Sequence, residues 1–466
     1  MANILKNADI YTASDNFKAD ILIEGEKISK IAENIVPAAS DKVFDLSGLE
    51  LYPGCIDAHT HFDLRFTNGV ATADDFESGT TAAACGGTTT VIDFANPYRG
   101  QSVLDSIGIW QKKAEGRSAV DYAFHLVLVE MNETVKKEAV KAIGEGITSF
   151  KCFFAYRDLK IDDACFIDVL SLARETGALV SVHAENGDIL NYASGRLLCE
   201  KKTAAKYHQC AHPVIAESEA TGRAAAIAKF MDVPLYIVHL SCAEALLHVK
   251  LAREASQCVL AETCPQYLLL SDELYDKNGF EAAKWVMSPP LREKSNNEKL
   301  WQAIRDGLIQ VISTDHCSFK YRGQKDIGGE NDFTKIPNGA PGAGDRVNLI
   351  YTYGVSENRI SKNKFAAVMS TNPAKIFGLY PRKGSIAIGS DADFTVIDPN
   401  KKSVVSIKDS RYKTDYNAYE GMALKGMVVK TFLRGELIYD DKNFLGSIGG
   451  GRFIKRSVFN PLVSYQ

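Results

Sequence analysis

Leu51-Tyr52-Pro53-Gly54-Cys55-Ile56-Asp57-Ala58-His59-Thr60-His61 is an apolar run that ends in two histidines spaced i, i+2. Residues two apart on a β-strand point to the same face, so both imidazoles emerge together at the strand's end. Two neutral imidazoles on one face make a chelate for a divalent metal. The pair gains weight because the pattern recurs downstream, where further short apolar runs close on residues able to bind metal.

Working outward from this run, eight short apolar strands follow one another at residues 51–59, 88–94, 123–129, 147–155, 179–183, 235–240, 258–263 and 310–313. Between them lie stretches such as 216–230 and 243–255, rich in Ala, Glu and Lys and long enough for crossover helices. Eight strand-plus-helix units over about 320 residues fit a (β/α)8 barrel with insertions. A doubly wound open sheet is the alternative. Residues 1–50 and 380–445 alternate apolar and polar in short runs, as in Ala19-Asp20-Ile21-Leu22-Ile23-Glu24 and Asp393-Phe394-Thr395-Val396-Ile397-Asp398. They predict the two parts of a small β-sandwich domain built from both termini, flanking a barrel over 51–379. Residues 446–466 form a tail, whose Gly446-Ser447-Ile448-Gly449-Gly450-Gly451 lacks the flanking strand and helix of a phosphate loop and reads as a flexible turn.

Composition narrows the function classes. The 466 residues carry 54 Lys and Arg against 58 Asp and Glu, a formal charge of -4, which gives no basis for binding nucleic acid or an anionic membrane. No apolar stretch approaches the ~20 residues of a membrane span. Ten cysteines stand singly without a CxxC pair, as reduced thiols of a cytoplasmic protein do.

A barrel carries its active site at the C-terminal ends of its strands. Those ends supply His59 and His61 from the first strand, Lys151 from the fourth, His183 from the fifth, His239 from the sixth, and Asp315 with His316 just past the eighth. Lys151 lies in Ser149-Phe150-Lys151-Cys152-Phe153-Phe154-Ala155, where aromatics on an interior strand make an ammonium costly. Nearby divalent cations would favour its neutral amine, which can add CO2 to form a carbamate able to bridge two metals. Imidazole and hard oxygen ligands suit zinc or another first-row divalent ion. His208 and His212 are spaced i, i+4, but Gln209 stands where a zincin needs Glu, so they read as loop or interface residues. His125, inside Phe124-His125-Leu126-Val127, reads as a hydrogen-bonded core histidine.

Six stretches together resemble the dihydropyrimidinase and D-hydantoinase branch of the amidohydrolase superfamily, over nearly the whole chain. They are Pro53 to Asp63, Ser149 to Tyr156, Glu262-Thr263-Cys264-Pro265-Gln266-Tyr267, Met287-Ser288-Pro289-Pro290-Leu291-Arg292, Ser313-Thr314-Asp315-His316-Cys317 and Ile336-Pro337-Asn338-Gly339. The resemblance implies two divalent metal ions, zinc foremost, bridged by an N6-carboxylated Lys151. His59, His61 and Asp315 would hold the more buried ion, and His183 with His239 the more exposed one. Tyr156 would stabilise the oxyanion, and Asp315 would move the proton. Ser288 and Asn338 would grip a small cyclic imide through main-chain groups, and Leu64, Phe153 and Leu159 would face its ring substituent. The implied reaction opens dihydropyrimidines or 5-substituted hydantoins to N-carbamoyl amino acids. A homotetramer, with Gly451-Arg452-Phe453 in subunit contacts, comes from the same resemblance.

Dihydroorotases carry an arginine two residues after the HxH, where this chain has Asp63. Allantoinase or a related ureide hydrolase remains an alternative, and a non-catalytic scaffold relative a remote one, since every ligand position is filled. One departure stands out: Gly344 in Gly342-Ala343-Gly344-Asp345-Arg346 occupies the place where the family pattern shows glutamate, beside the segment of Asn338.

Overall fold

The computed structural model describes residues 2–66 and 69–464. Among them the strands form one sheet of eight and one of nine. The eight are β1 (Cys55–Thr60), β2 (Thr88–Ala95), β3 (Asp121–Val127), β4 (Ser149–Phe153), β5 (Leu179–His183), β6 (Leu235–Ile237), β7 (Val259–Thr263) and β8 (Val311–Ile312), each parallel to its sequence neighbour. The sheet closes just beyond β8, where the Asp315 amide donates to the His59 carbonyl at 3.0 Å and the His61 amide to the His316 carbonyl at 2.8 Å. This is the (β/α)8 barrel of the sequence reading, not the open doubly wound sheet.

Helices return the chain between strands, and short polar residues start them. Asp75 accepts from the Ser78 amide, Asn132 from those of Thr134 and Val135, and Asp162 from that of Cys165, each satisfying amides that a helix start leaves unpaired. Gly177 ends the helix Asp163–Thr176 in the left-handed region at φ +76°. The barrel lumen is a packed core of Ile56, Ile92, Leu179, Tyr236, Leu260 and Val311, closed below by Phe377 and Ile454. Every one of these is buried, which leaves the upper mouth for chemistry.

The nine-stranded sheet joins both chain ends. Glu50–Pro53 pairs antiparallel with Phe394–Val404, which continues through Ala423–Leu433 and Glu436–Asp440; on the other side lies Asn3–Tyr11. The sheet folds over one core, with Phe44 from the N-terminal part packed edge-on against Phe432 from the C-terminal part, ring centroids 5.1 Å apart.

Two sequence expectations are corrected here. The run 51–59 is not one strand but two: Glu50–Pro53 belongs to the nine-stranded sheet and Cys55–Thr60 to the barrel. Gly54 makes the break. Its amide donates to the Asp393 carbonyl at 2.9 Å, and a Cβ there would overlap the Thr89 side chain, so only glycine lets the backbones approach. The glycine-rich tail is likewise no loose turn. The Gly451 amide donates to the Ser118 carbonyl, and a Cβ on Gly451 would overlap the Val120 carbonyl oxygen. Onward, residues 452–459 lie under the barrel, where Arg456 donates to the Phe124 carbonyl and the Ser149 hydroxyl.

Candidate metal centre

Parallel pairing sets the site's floor. β4 and β5 align with Ser181 opposite Lys151 and His183 opposite Phe153, and β1 ends beside the turn after β8. Asp57 shapes that turn, accepting from the Thr314 amide at 3.1 Å and the Thr314 hydroxyl at 2.7 Å. Asp315 follows with φ +54°, outside regular strand conformation, which turns its carboxylate back over the barrel mouth.

His59 Nε2 and His61 Nε2 each lie 3.2 Å from Asp315 Oδ1, and the three residues form a group able to hold a metal ion. A second focus lies beside it. His183 Nδ1 and His239 Nε2 approach to 2.9 Å, and the His59 and His239 rings are 5.5 Å apart. Burial lowers both His183 and His239 below the ordinary imidazole range, keeping them neutral as metal ligation requires. Burial likewise takes His61 down to about 4. It would do the same to His59, but the Glu262 and Asp315 carboxylates raise that imidazole to about 9. Burial works against the charge on Asp315 too, yet His59 and its neighbours hold the carboxyl well below the usual range.

Lys151 lies among these residues with no exposed surface, and among the described residues its Nζ has no hydrogen-bond partner. Phe94 and Phe153 flank it with ring centroids 5.2 and 5.1 Å away. Burial pulls the ammonium down to about 8, against the pull of Glu262 and Asp315. A partnerless buried amine surrounded by four imidazoles and a carboxylate is costly as it stands, and it fits a site completed by cations and a carbamate.

Behind the ligands stands a layer that the sequence reading passed over. Glu262 is fully buried on β7; one oxygen meets His59 Nδ1 and the His239 amide, and the other accepts from the Tyr236 hydroxyl at 2.9 Å. It therefore orients a candidate ligand at each focus. Glu185 accepts from His183 Nε2 at 3.0 Å and from His212 Nδ1 at 2.9 Å. Burial would raise the Glu185 carboxyl, but His212 and His183 hold it well below its ordinary value. His208 opens the short helix His208–Ala211, and His212 lies in the bend that follows it. Both are buried, their rings 4.5 Å apart, and His208 Nε2 donates to the Met287 carbonyl at 2.8 Å.

Signals for both glutamates were present. Glu262 sits inside an apolar strand, the anomaly that singled out Lys151, and Glu185 stands two residues after His183, the spacing of His59 and His61. His125 is a core histidine, bonded to the Ser149 hydroxyl at 2.6 Å and the Ala58 carbonyl at 3.0 Å. His316 is not at the ligand foci. Its Nδ1 accepts from the Gly342 and Ala343 amides, and its Nε2 faces Asp74.

At the mouth, Tyr156 (φ +67°) packs its ring 5.1 Å from that of His183, and burial keeps its hydroxyl protonated, beside Ser288. Phe153 and Leu159 gather with Tyr156 in one apolar cluster, whereas Leu64 packs with the main core from the loop after His61. Asn338 Nδ2 donates to the Ser288 hydroxyl at 2.9 Å. The carbonyls around Ser288 are taken: Trp285 by the Tyr275 hydroxyl, Val286 by the Gly339 amide, Met287 by His208 and Pro289 by the Tyr267 hydroxyl. Among the described residues only the Ser288 carbonyl in this row has no protein donor. Gly344 proves distant in role: its amide donates to the Tyr412 hydroxyl at 2.6 Å, and a Cβ there would lie 3.0 Å from the Ala82 carbonyl oxygen. It packs against the helix Phe76–Cys85 and not against Asn338.

Comparison with known proteins gives the family. Residues 51–438 match the model of the amidohydrolase family. A D-hydantoinase of Geobacillus stearothermophilus is 44% identical over 100% of this chain and 99% of its own, and one of Ralstonia pickettii is 42% identical over 97% and 98%. The crystal structure of a dihydropyrimidinase from Brevibacillus agri superposes with a TM-score of 0.97 at 44% identity, covering 99% of this chain and 100% of that one. No helix among the described residues is long and apolar enough to cross a membrane. The chain belongs to the amidohydrolase family, in the branch that holds the D-hydantoinases and dihydropyrimidinases.

Proposed function

We propose that this protein is a two-metal cyclic amidohydrolase that opens dihydropyrimidines, 5-substituted hydantoins or both to N-carbamoyl amino acids. The observation that carries the proposal is the partnerless Lys151 amine, buried between the His59, His61, Asp315 group and the His183, His239 pair. In this reading Lys151 is N6-carboxylated: its neutral amine adds to CO2, one N–C bond forms and one proton leaves. The carbamate oxygens would complete a site for metal ions with His59, His61, Asp315, His183 and His239 as the other ligands. Two divalent ions, zinc by preference, would supply an acidified water and polarise the carbonyl under attack.

The chain's own residues do the rest. The Ser288 carbonyl and the main chain of Asn338 hold the ring imide, with the Asn338 amide side chain tying the two segments together. Phe153 and Leu159 take the apolar substituent, with Leu64 on the facing loop. The Tyr156 hydroxyl donates to the oxyanion as the carbonyl becomes tetrahedral, a contribution of about 3–4 kcal/mol for one such donor. Asp315, ionised at rest, accepts the proton of the attacking water and passes it to the departing ring nitrogen.

A homotetramer and a cytoplasmic location complete the reading. Exposed Tyr192, Ile215, Phe230, Leu247 and Leu251 on neighbouring helices support association, and the ten free thiols support a reducing compartment. The test is ring opening by metal-loaded protein with dihydrouracil, hydantoin, 5-phenylhydantoin, allantoin and dihydroorotate at matched concentrations. Turnover of dihydrouracil or a hydantoin that is lost on chelation and restored by zinc is expected. Preference for allantoin or dihydroorotate, or no turnover with metal bound, refutes the proposal.

A further inference from the structure

Lys325 has no exposed surface and faces no carboxylate within ion-pair distance among the described residues. Its Nζ donates instead to two main-chain carbonyls, Val286 at 2.9 Å and Pro337 at 3.1 Å. These carbonyls belong to the two segments that carry Ser288 and Asn338. The Val286 carbonyl also accepts from the Gly339 amide at 3.0 Å, so one small knot fixes both segments. The turn that bears Lys325 is itself anchored: the amides of Tyr321 and Arg322 donate to the Asp415 carboxylate, and Gln324 donates to the Ala71 carbonyl of the loop after His61.

We propose that Lys325 is a positioning residue for substrate, holding the two main-chain segments at the separation a cyclic imide spans. This deepens the reading of Ser288 and Asn338 as the substrate grip and rests on it. Lys325 touches neither the metal ligands nor the predicted path of the proton, so its effect is on binding. Burial brings its ammonium down to about 7, and the neutral amine still has two N–H donors for two carbonyls. The brace therefore does not depend on a buried charge.

Removing the donor leaves the Pro337 carbonyl without this partner and the Val286 carbonyl with the Gly339 amide alone, which frees the segments to part. The experiment compares the steady-state kinetics of Lys325→Met, Lys325→Gln and Asn338→Ala, each metal-loaded and with metal content measured. The substrate is the best of the panel above. For Lys325→Met the expectation is KM raised at least tenfold, with kcat reduced less than threefold and metal content unaltered. Lys325→Gln, which keeps one donor, should fall between it and the parent, and it serves alone if Lys325→Met does not fold. Unchanged KM in the lysine variants while Asn338→Ala raises it overturns the role of Lys325 and leaves the grip intact. Unchanged KM in all three overturns the role of Lys325 and that of the Asn338 side chain in spacing the two segments. A loss confined to kcat, or loss of metal, overturns the positioning role.

Discussion

Replacing Glu185 by Gln tests the layer behind the metal centre most directly. The carboxylate is fully buried and both oxygens are engaged, one by His183 at 3.0 Å and the other by His212 at 2.9 Å. Glutamine keeps the shape but offers one acceptor where two imidazole N–H groups need one each. One donor is left facing an NH2 group, at a cost of about 1–3 kcal/mol. The loss of the negative charge also makes His183 a weaker ligand, and such partners are typically worth 10–100-fold in metal affinity, about 1.4–2.8 kcal/mol. The assay titrates zinc into metal-free protein against a chromophoric chelator and counts ions per chain. One class of ion should weaken 10–100-fold while the class held by His59, His61 and Asp315 keeps its affinity. Unchanged binding of both in a folded variant would refute the reasoning. Equal weakening of both would mean that Glu185 supports the fold and not His183.

Other perturbations separate chemistry from architecture. Asp315→Asn should fold and bind substrate yet lose about 10²–10⁴-fold in kcat, read by steady-state kinetics at matched metal content; near-normal turnover removes it from proton transfer. Tyr156→Phe should lower kcat about 10²–10³-fold with little change in KM, and an effect on KM alone would assign the hydroxyl to ground-state binding. Asp391, buried beneath the barrel between Lys27, Arg382 and Lys383, has its carboxyl held at about 2 by those cations despite burial. A depressed carboxyl stabilises the fold fully above its ordinary value of 3.8 and loses that stabilisation as pH falls toward 2. Asp391→Asn should therefore cost about 2 kcal/mol near neutrality, measured by urea unfolding, with the gap from the parent closing between about pH 4 and pH 2. A gap independent of pH would locate the effect in packing.

The legible parts of this protein are those written over a few residues. His59 and His61 share a face because the strand period is two, and the barrel follows from eight repeats of a strand and a helix. The same local logic failed where it was applied without its punctuation. Pro53-Gly54 is a break signal, and it separates strands of two different sheets. Glycine permits flexibility in a run such as Gly446 to Gly451, whereas here Gly451 permits close approach to the backbone of residues 118–120. His208 and His212 lack the adjacent glutamate of a zincin pair, since Gln209 follows His208. The glutamate that matters, Glu185, lies 27 residues from His212.

The sequence by itself determined the barrel, the β-domain drawn from both ends, and the ligand types gathered at the strand ends, since hydrophobic period and strand-end chemistry are properties of neighbours in the chain. Only the tertiary structure decided which carboxylate stands behind which histidine, why Lys151 has no partner, and how Lys325 reaches the carbonyls of Val286 and Pro337. Apart from Glu185 with His183, those pairings join residues 12 to 203 positions apart. A buried polar group is defined by the donor or acceptor it meets, and the chain order does not specify that meeting until the barrel has closed.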